Sequence, residues 1–181
     1  MSAARPPTTE LTRITTRYVA AEDRVRLAGE RVGGSQVAIW LTRRLLQGLV
    51  PRLLSPPDAA PRAAPRAGSH VIPPHREMLL GFAQQKALAA HVPVAPVAPA
   101  AYAESWLAER AAIHRSSQAL TIVYESADGR AASMLLTPAA VHQWLAIVYR
   151  AYCSAQWPMD IWPAWLIENL EPAPAQPQAL H

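Results

Sequence analysis

The sequence predicts an α+β protein of two tandem βββα units, each a small antiparallel sheet followed by a helix, related by an internal repeat and joined by a Pro/Ala-rich connector. Three observations predict it. Residues 37–46 read as an apolar strand running into a helix, and residues 133–141 carry the same run, with Leu-Thr junctions at Thr42 and Thr137, 95 residues apart (137 − 42). Repeats at a fixed period decide the fold and are sought first. Both runs are preceded by a second apolar stretch and a turn, Gly33-Gly34-Ser35 in one and Ser126-Ala127-Asp128-Gly129 in the other, which is the pattern of a hairpin. Both are followed by apolar residues at spacing three and four.

Residues 1–10 read as a disordered N-terminus. The first unit spans 11–55. Its opening strand, 11–19, is rich in Thr, Ile and Tyr, the hairpin follows over 25–42, and the Thr42 hydroxyl can cap the helix behind it. Leu45, Leu46, Leu49, Val50 and Leu53 form that helix's stripe until Pro51 disturbs it and Ser55-Pro56-Pro57 stops it. Residues 56–100 are the connector, since ten of the eighteen prolines fall between 51 and 100. One helix is expected inside it, near 76–91, with Met78, Leu79, Phe82 and Leu88 as its apolar face laid over the domain surface; a tethered recognition helix is the sharper reading. The second unit spans 101–153, with a strand at 109–114, a hairpin over 120–137, and Pro138 at the first helical position, where a missing N–H costs nothing. Val141, Trp144, Leu145, Val148 and Tyr152 form its stripe. Residues 154–170 are a Trp-rich helical segment in which Asp160 caps a short helix from Ile161, with Trp162, Trp165 and Leu166 on one face. That face either closes the core or meets a partner. A loose tail, 171–181, ends the chain.

The net charge of +4 is unevenly placed: nine Arg against four acids in 1–56, four Arg against six acids in 101–170. Sixteen of seventeen basic residues are Arg, whose planar fork suits carboxylate and phosphate. No run of eighteen apolar residues exists, so no membrane span is expected. The N-terminus lacks the apolar core of a secretory signal, and a lone Cys153 fits a reducing compartment; the expected location is cytoplasmic.

Chemistry has little purchase. The histidines show no ligand spacing, and no phosphate loop or nucleophile elbow is present, so no catalytic residue, metal or cofactor is expected. Glu22-Asp23 reads as a turn with an ion pair to Arg24. The function expected is that of a non-catalytic adaptor or accessory protein binding another protein or peptide, or self-associating. Trp and Arg dominate interface hot spots, and the candidate contacts are Arg24, Arg26, Trp40, Arg43, Arg44, Trp157, Trp162 and Trp165. Three-stranded sheets also leave edges to which a peptide strand could add. The alternative is a nucleic-acid-binding module using the N-terminal arginines, with Arg17 and Arg52 nearby. Few lysines, an acidic second half and no strand-borne aromatic platform count against it. Third comes an enzyme subunit whose pocket would collect His114, His142 and Cys153.

Overall fold

In a computed structural model of the chain, which describes residues 8–55, 74–91, 95–97 and 104–170, alternating apolar residues build seven strands. They are β1 (Thr9–Val19), β2 (Arg24–Arg31), β3 (Gln36–Leu41), β4 (Glu104–Ala108), β5 (Arg110–Arg115), β6 (Leu120–Glu125) and β7 (Ala131–Leu136). Helix α1 (Arg43–Leu54) follows β3, α2 (Pro74–Ala89) crosses the middle of the chain, α3 (Pro138–Ala155) follows β7, and α4 (Ala164–Leu170) closes the described part.

The two separate sheets expected from the sequence are not found. All strands belong to one curled, mixed sheet in the order β4-β3-β2-β1-β7-β6-β5. Each hairpin is antiparallel, and parallel ladders join the halves: β1 with β7 from Thr9↔Ala132 to Leu11↔Met134, and β3 with β4 from Val37↔Glu104 to Leu41↔Ala108. The physical reason is the edge. Isolated three-stranded sheets would each leave two rows of unpaired backbone groups, and edge-to-edge pairing satisfies them where face-to-face stacking would not.

The strand expected at 109–114 is β5, and a strand not expected, β4, precedes it across Glu109; these two are the ends of the strand order. The sheet therefore curls until both of its margins lie in one bent segment. At the bend the Glu109 N–H donates to the Glu125 carbonyl at 2.9 Å.

What recurs at the 95-residue offset is backbone pairing, in the ladders between the halves as well as in the hairpins. Thr9↔Ala132 becomes Glu104↔Val37 when 95 is added to the first residue and subtracted from the second. Val25↔Leu41 likewise has its counterpart in Leu120↔Leu136. The turns carry matching bonds, Arg31 N–H to Ser35 O (2.8 Å) and Ser126 N–H to Arg130 O (3.0 Å). Thr42 and Thr137 both cap, accepting from Leu45 N–H (3.1 Å) and Ala140 N–H (3.2 Å).

The core lies on one face of the sheet. Val25 and Leu27, Val37, Ile39 and Leu41, Ile122 and Tyr124, and Met134 and Leu136 point there and meet Leu46, Leu49 and Val50 of α1 and Trp144, Leu145 and Val148 of α3. Pro51 sits inside α1, in its last turn, and Ser55 closes the helix by donating from its N–H and hydroxyl to the Pro51 carbonyl. The C-terminal helix begins at Ala164 and not at Ile161, because its first bonds, from Leu166 and Ile167, go to the Pro163 carbonyl. Trp162 before it is in a turn, its N–H bonded to Met159 O.

Of the expected loose N-terminus, Thr9 and Glu10 belong to β1; residues 1–7, the connector stretch 56–73 and the tail 171–181 lie outside the described residues. No described helix is long and apolar enough to cross a membrane.

Candidate functional site

Two surfaces stand out once the core is assigned. The first is the sheet face opposite the helices. Period-two alternation puts Trp40 there, between core-facing Ile39 and Leu41, and register aligns Arg17, Arg26, Trp40 and Leu107 across four strands. Trp40 is half-buried, with its Nε1–H donating to Ser105 Oγ at 2.8 Å. Arg24 lies two residues along β2 on the same face. Arg17 and Arg26 are directly opposed on antiparallel strands, an arrangement that is unfavourable for like charges. Neither they nor Arg24 has an acid partner among the described residues, and Arg26 Nε is buried without any partner. The next rows are neutralised or covered: Arg13 pairs with Glu30 at 2.6 Å, and buried Val97 caps the Thr15 row through its N–H to Thr15 Oγ1 (2.7 Å).

In the other half the corresponding row has no Arg, Lys, Asp or Glu, and the charges on that face, Arg110 and Glu125, pair with each other. The row there reads Leu135, Thr121, His114, with Leu135 58% exposed.

The second surface is α2, whose packing inverts the expected arrangement. Its inward side carries one large apolar residue, Leu80, and is otherwise mostly polar or small. Fully buried Gln84 donates from Nε2 to the His142 carbonyl (3.0 Å) and bonds His142 Nδ1 through Oε1 (2.9 Å). Gln143 reaches back to the Ala87 carbonyl at 2.8 Å. Gly81 lies against α4, where a Cβ would stand 2.8 Å from Asn169 Nδ2. With amides holding this side to α3 and α4, Met78, Leu79 and Phe82 face outward, 61–65% exposed. Spacing of three and four makes them one patch.

The remaining sequence candidates divide. Arg24, Arg26 and Trp40 share the outer face. Arg43 and Arg44 are exposed at the start of α1, and Arg44 lines an open groove between α1 and the bend at Glu109 instead of joining that row. Arg52, expected near them, donates to the Ala111 carbonyl across the same groove. Trp157, Trp162 and Trp165 are corrected from interface to core: they are 5%, 5% and 6% exposed. Trp157 and Trp162 meet Tyr152 edge-on at 5.0 and 5.5 Å, and Trp162 meets Tyr149 at 5.4 Å. Edge-to-face rings of this kind favour the dry interior of the fold.

Asp23 is corrected as well. It accepts at one oxygen from the Tyr18 hydroxyl and from Trp157 Nε1–H, both at 2.9 Å, in place of an ion pair with Arg24. Of the three groups weighed for an enzyme, His114 is on the outer face and Cys153 is exposed on α3, whereas His142 is bonded to Gln84 and its pKa is lowered by burial. No cluster of three metal-ligating side chains occurs among the described residues.

The sequence reading placed Met78, Leu79, Phe82 and Leu88 together on a face laid over the domain; of these Leu88 is half-buried and the other three point outward. The available signal was Gln84, which is fully buried where a covering helix would carry a leucine. Compared with protein-family models, curated proteins and solved structures, the chain matches none.

Proposed function

We propose that this is an accessory protein that binds a partner protein through the outward face of α2. One observation carries the reading: Met78, Leu79 and Phe82 are exposed while the buried side of the same helix holds a single large apolar residue, Leu80, among amides and small residues. A helix meant only to cover the domain would place its large apolar residues inward, as α1 and α3 do. Met and Phe are enriched at interface cores, and a contiguous apolar patch marks a contact site where scattered leucines do not. The partner surface that fits is a groove receiving side chains at positions i, i+1 and i+4. Burying each such side chain contributes about 2 kcal/mol, so losing two weakens binding about 1000-fold.

The test is photo-crosslinking in the native host from position 79 of the full chain. A discrete protein adduct that disappears in Met78→Glu/Phe82→Glu supports the reading. Absence of any adduct, or one indifferent to that double change, refutes it.

A second reading has its own observation. Arg17 and Arg26 are opposed without an acid, beside Trp40, and an anionic strand would relieve their repulsion. The ligand would be single-stranded nucleic acid, with phosphates on the arginines. Retention of nucleic acid by the wild-type protein at low salt, lost in Arg17→Glu/Arg26→Glu, supports it; unchanged retention excludes this face.

A further inference from the structure

Beneath α2 lies a cavity of about 310 Å3, set between the end of α1, the β5–β6 turn and the start of α3. Leu53, Leu80, Leu145 and Trp165 give it an apolar lining, and Arg76 and Arg115 stand among its lining residues. Among the described residues no carboxylate lines it. Arg115 donates from Nη2 to the backbone carbonyls of Arg52 (2.6 Å) and Ser55 (3.4 Å), and Arg76 has no hydrogen-bond or ion-pair partner among the described residues. Trp165 adds an indole Nε1 that is buried and without a partner, in a side chain that is itself 6% exposed.

This combination is specific in chemical terms. A half-open, largely apolar pocket at the small end of the usual range for ligand sites would suit a hydrocarbon chain or ring. Two guanidinium groups with no carboxylate among the described lining residues call for an anion, and a carboxylate matches their planar forks. We propose that the cavity binds a small monocarboxylate with an apolar tail, the carboxylate held by Arg76 and Arg115 and the tail against Leu53, Leu145 and Trp165. Arg115 is already under electrostatic pressure. Partial burial and the neighbouring Arg52 both lower its pKa, and an arriving carboxylate would offset that. The site is separate from the outward side of α2 and does not depend on what binds there.

Calorimetric titration of the full chain with octanoate, octanol and octylammonium tests the assignment. Octanoate is expected to bind with a sub-millimolar Kd, octanol at least about tenfold more weakly, and octylammonium not at all. Arg76→Gln and Arg115→Gln are each expected to weaken octanoate about tenfold or more. Arg115 also tethers the end of α1, so its replacement could disturb the fold; Arg76, which makes no other described bond, keeps the test independent of stability. Octanol binding as well as octanoate, an Arg76→Gln protein that binds octanoate unchanged, or no heat of octanoate binding at millimolar concentration overturns the proposal.

Discussion

Replacing Asp23 with Ala removes the acceptor that ties the β1–β2 turn to the C-terminal segment 134 residues away. The cost has two main parts. Trp157 is almost fully buried, and an indole N–H left without its acceptor costs about 1–3 kcal/mol. Asp23 is also in the left-handed region at φ 46°, where Asp is tolerated and Ala is disfavoured by about 1 kcal/mol. The Tyr18 hydroxyl is solvated, and water replaces its bond, so it adds little. The expected loss is about 3 kcal/mol, or a fall in Tm of about 6–12 °C at the sensitivity usual for chains of this size. Asp23→Asn keeps both an acceptor and the turn conformation and should lose no more than about 1 kcal/mol. Urea unfolding followed by circular dichroism, on Asp23→Ala, Trp157→Phe and the double variant, separates the bond from the turn. A coupling energy below about 0.5 kcal/mol in that cycle would show that the bond does not stabilise the fold.

Two further outcomes follow from buried polar groups. Tyr124 is fully buried with no partner for its hydroxyl, and burial pushes its pKa far above the usual phenol value, so Tyr124→Phe should leave stability unchanged or raise it by up to about 1 kcal/mol. A loss of more than about 1 kcal/mol in denaturant melts would contradict the lack of a partner. His142 has its pKa lowered by burial, so the unfolded chain takes up this proton first as pH falls. The stability it contributes is therefore complete above about pH 6.5 and is lost as pH drops through the lowered folded value. Melts between pH 7.5 and 5 should show that decline, and His142→Gln should flatten it; an equal slope in both proteins would assign the effect elsewhere.

Much of the local structure was legible because it is encoded within a few residues. Gly33, Gly34 and Gly129 adopt positive φ in the hairpin turns, Thr42 and Thr137 cap, and Pro138 opens its helix. The union of the halves was not, since the ladders from β1 to β7 and from β3 to β4 depend on which edges meet in space. The same apolar alternation suits separate sheets or a joined one. The bend at Glu109 left no mark of glycine or proline to announce it. For the surface candidates, a strand's parity is a local property, but that Arg24, Arg26 and Trp40 share one face follows from the pairing of β2 with β3. Whether a tryptophan is core or interface depends on what folds over it, and the residues that cover Trp157 and Trp162 come from β1 and α3. The orientation of α2 could have been suspected from Gln84, but only α3 determines which side it serves.

The bend at Glu109 also governs the order of assembly. Hairpins such as β2–β3 can form within a short span of chain, whereas the two parallel ladders join positions 67 (104 − 37) and 123 (132 − 9) residues apart. Closing such long loops is entropically expensive and kinetically slow. During synthesis the margins of β1 and β3 must wait, unpaired, for strands not yet made. A nascent chain halted before residue 104 would carry both of those margins open, and that is the stage at which this protein is most exposed to mispairing with its neighbours.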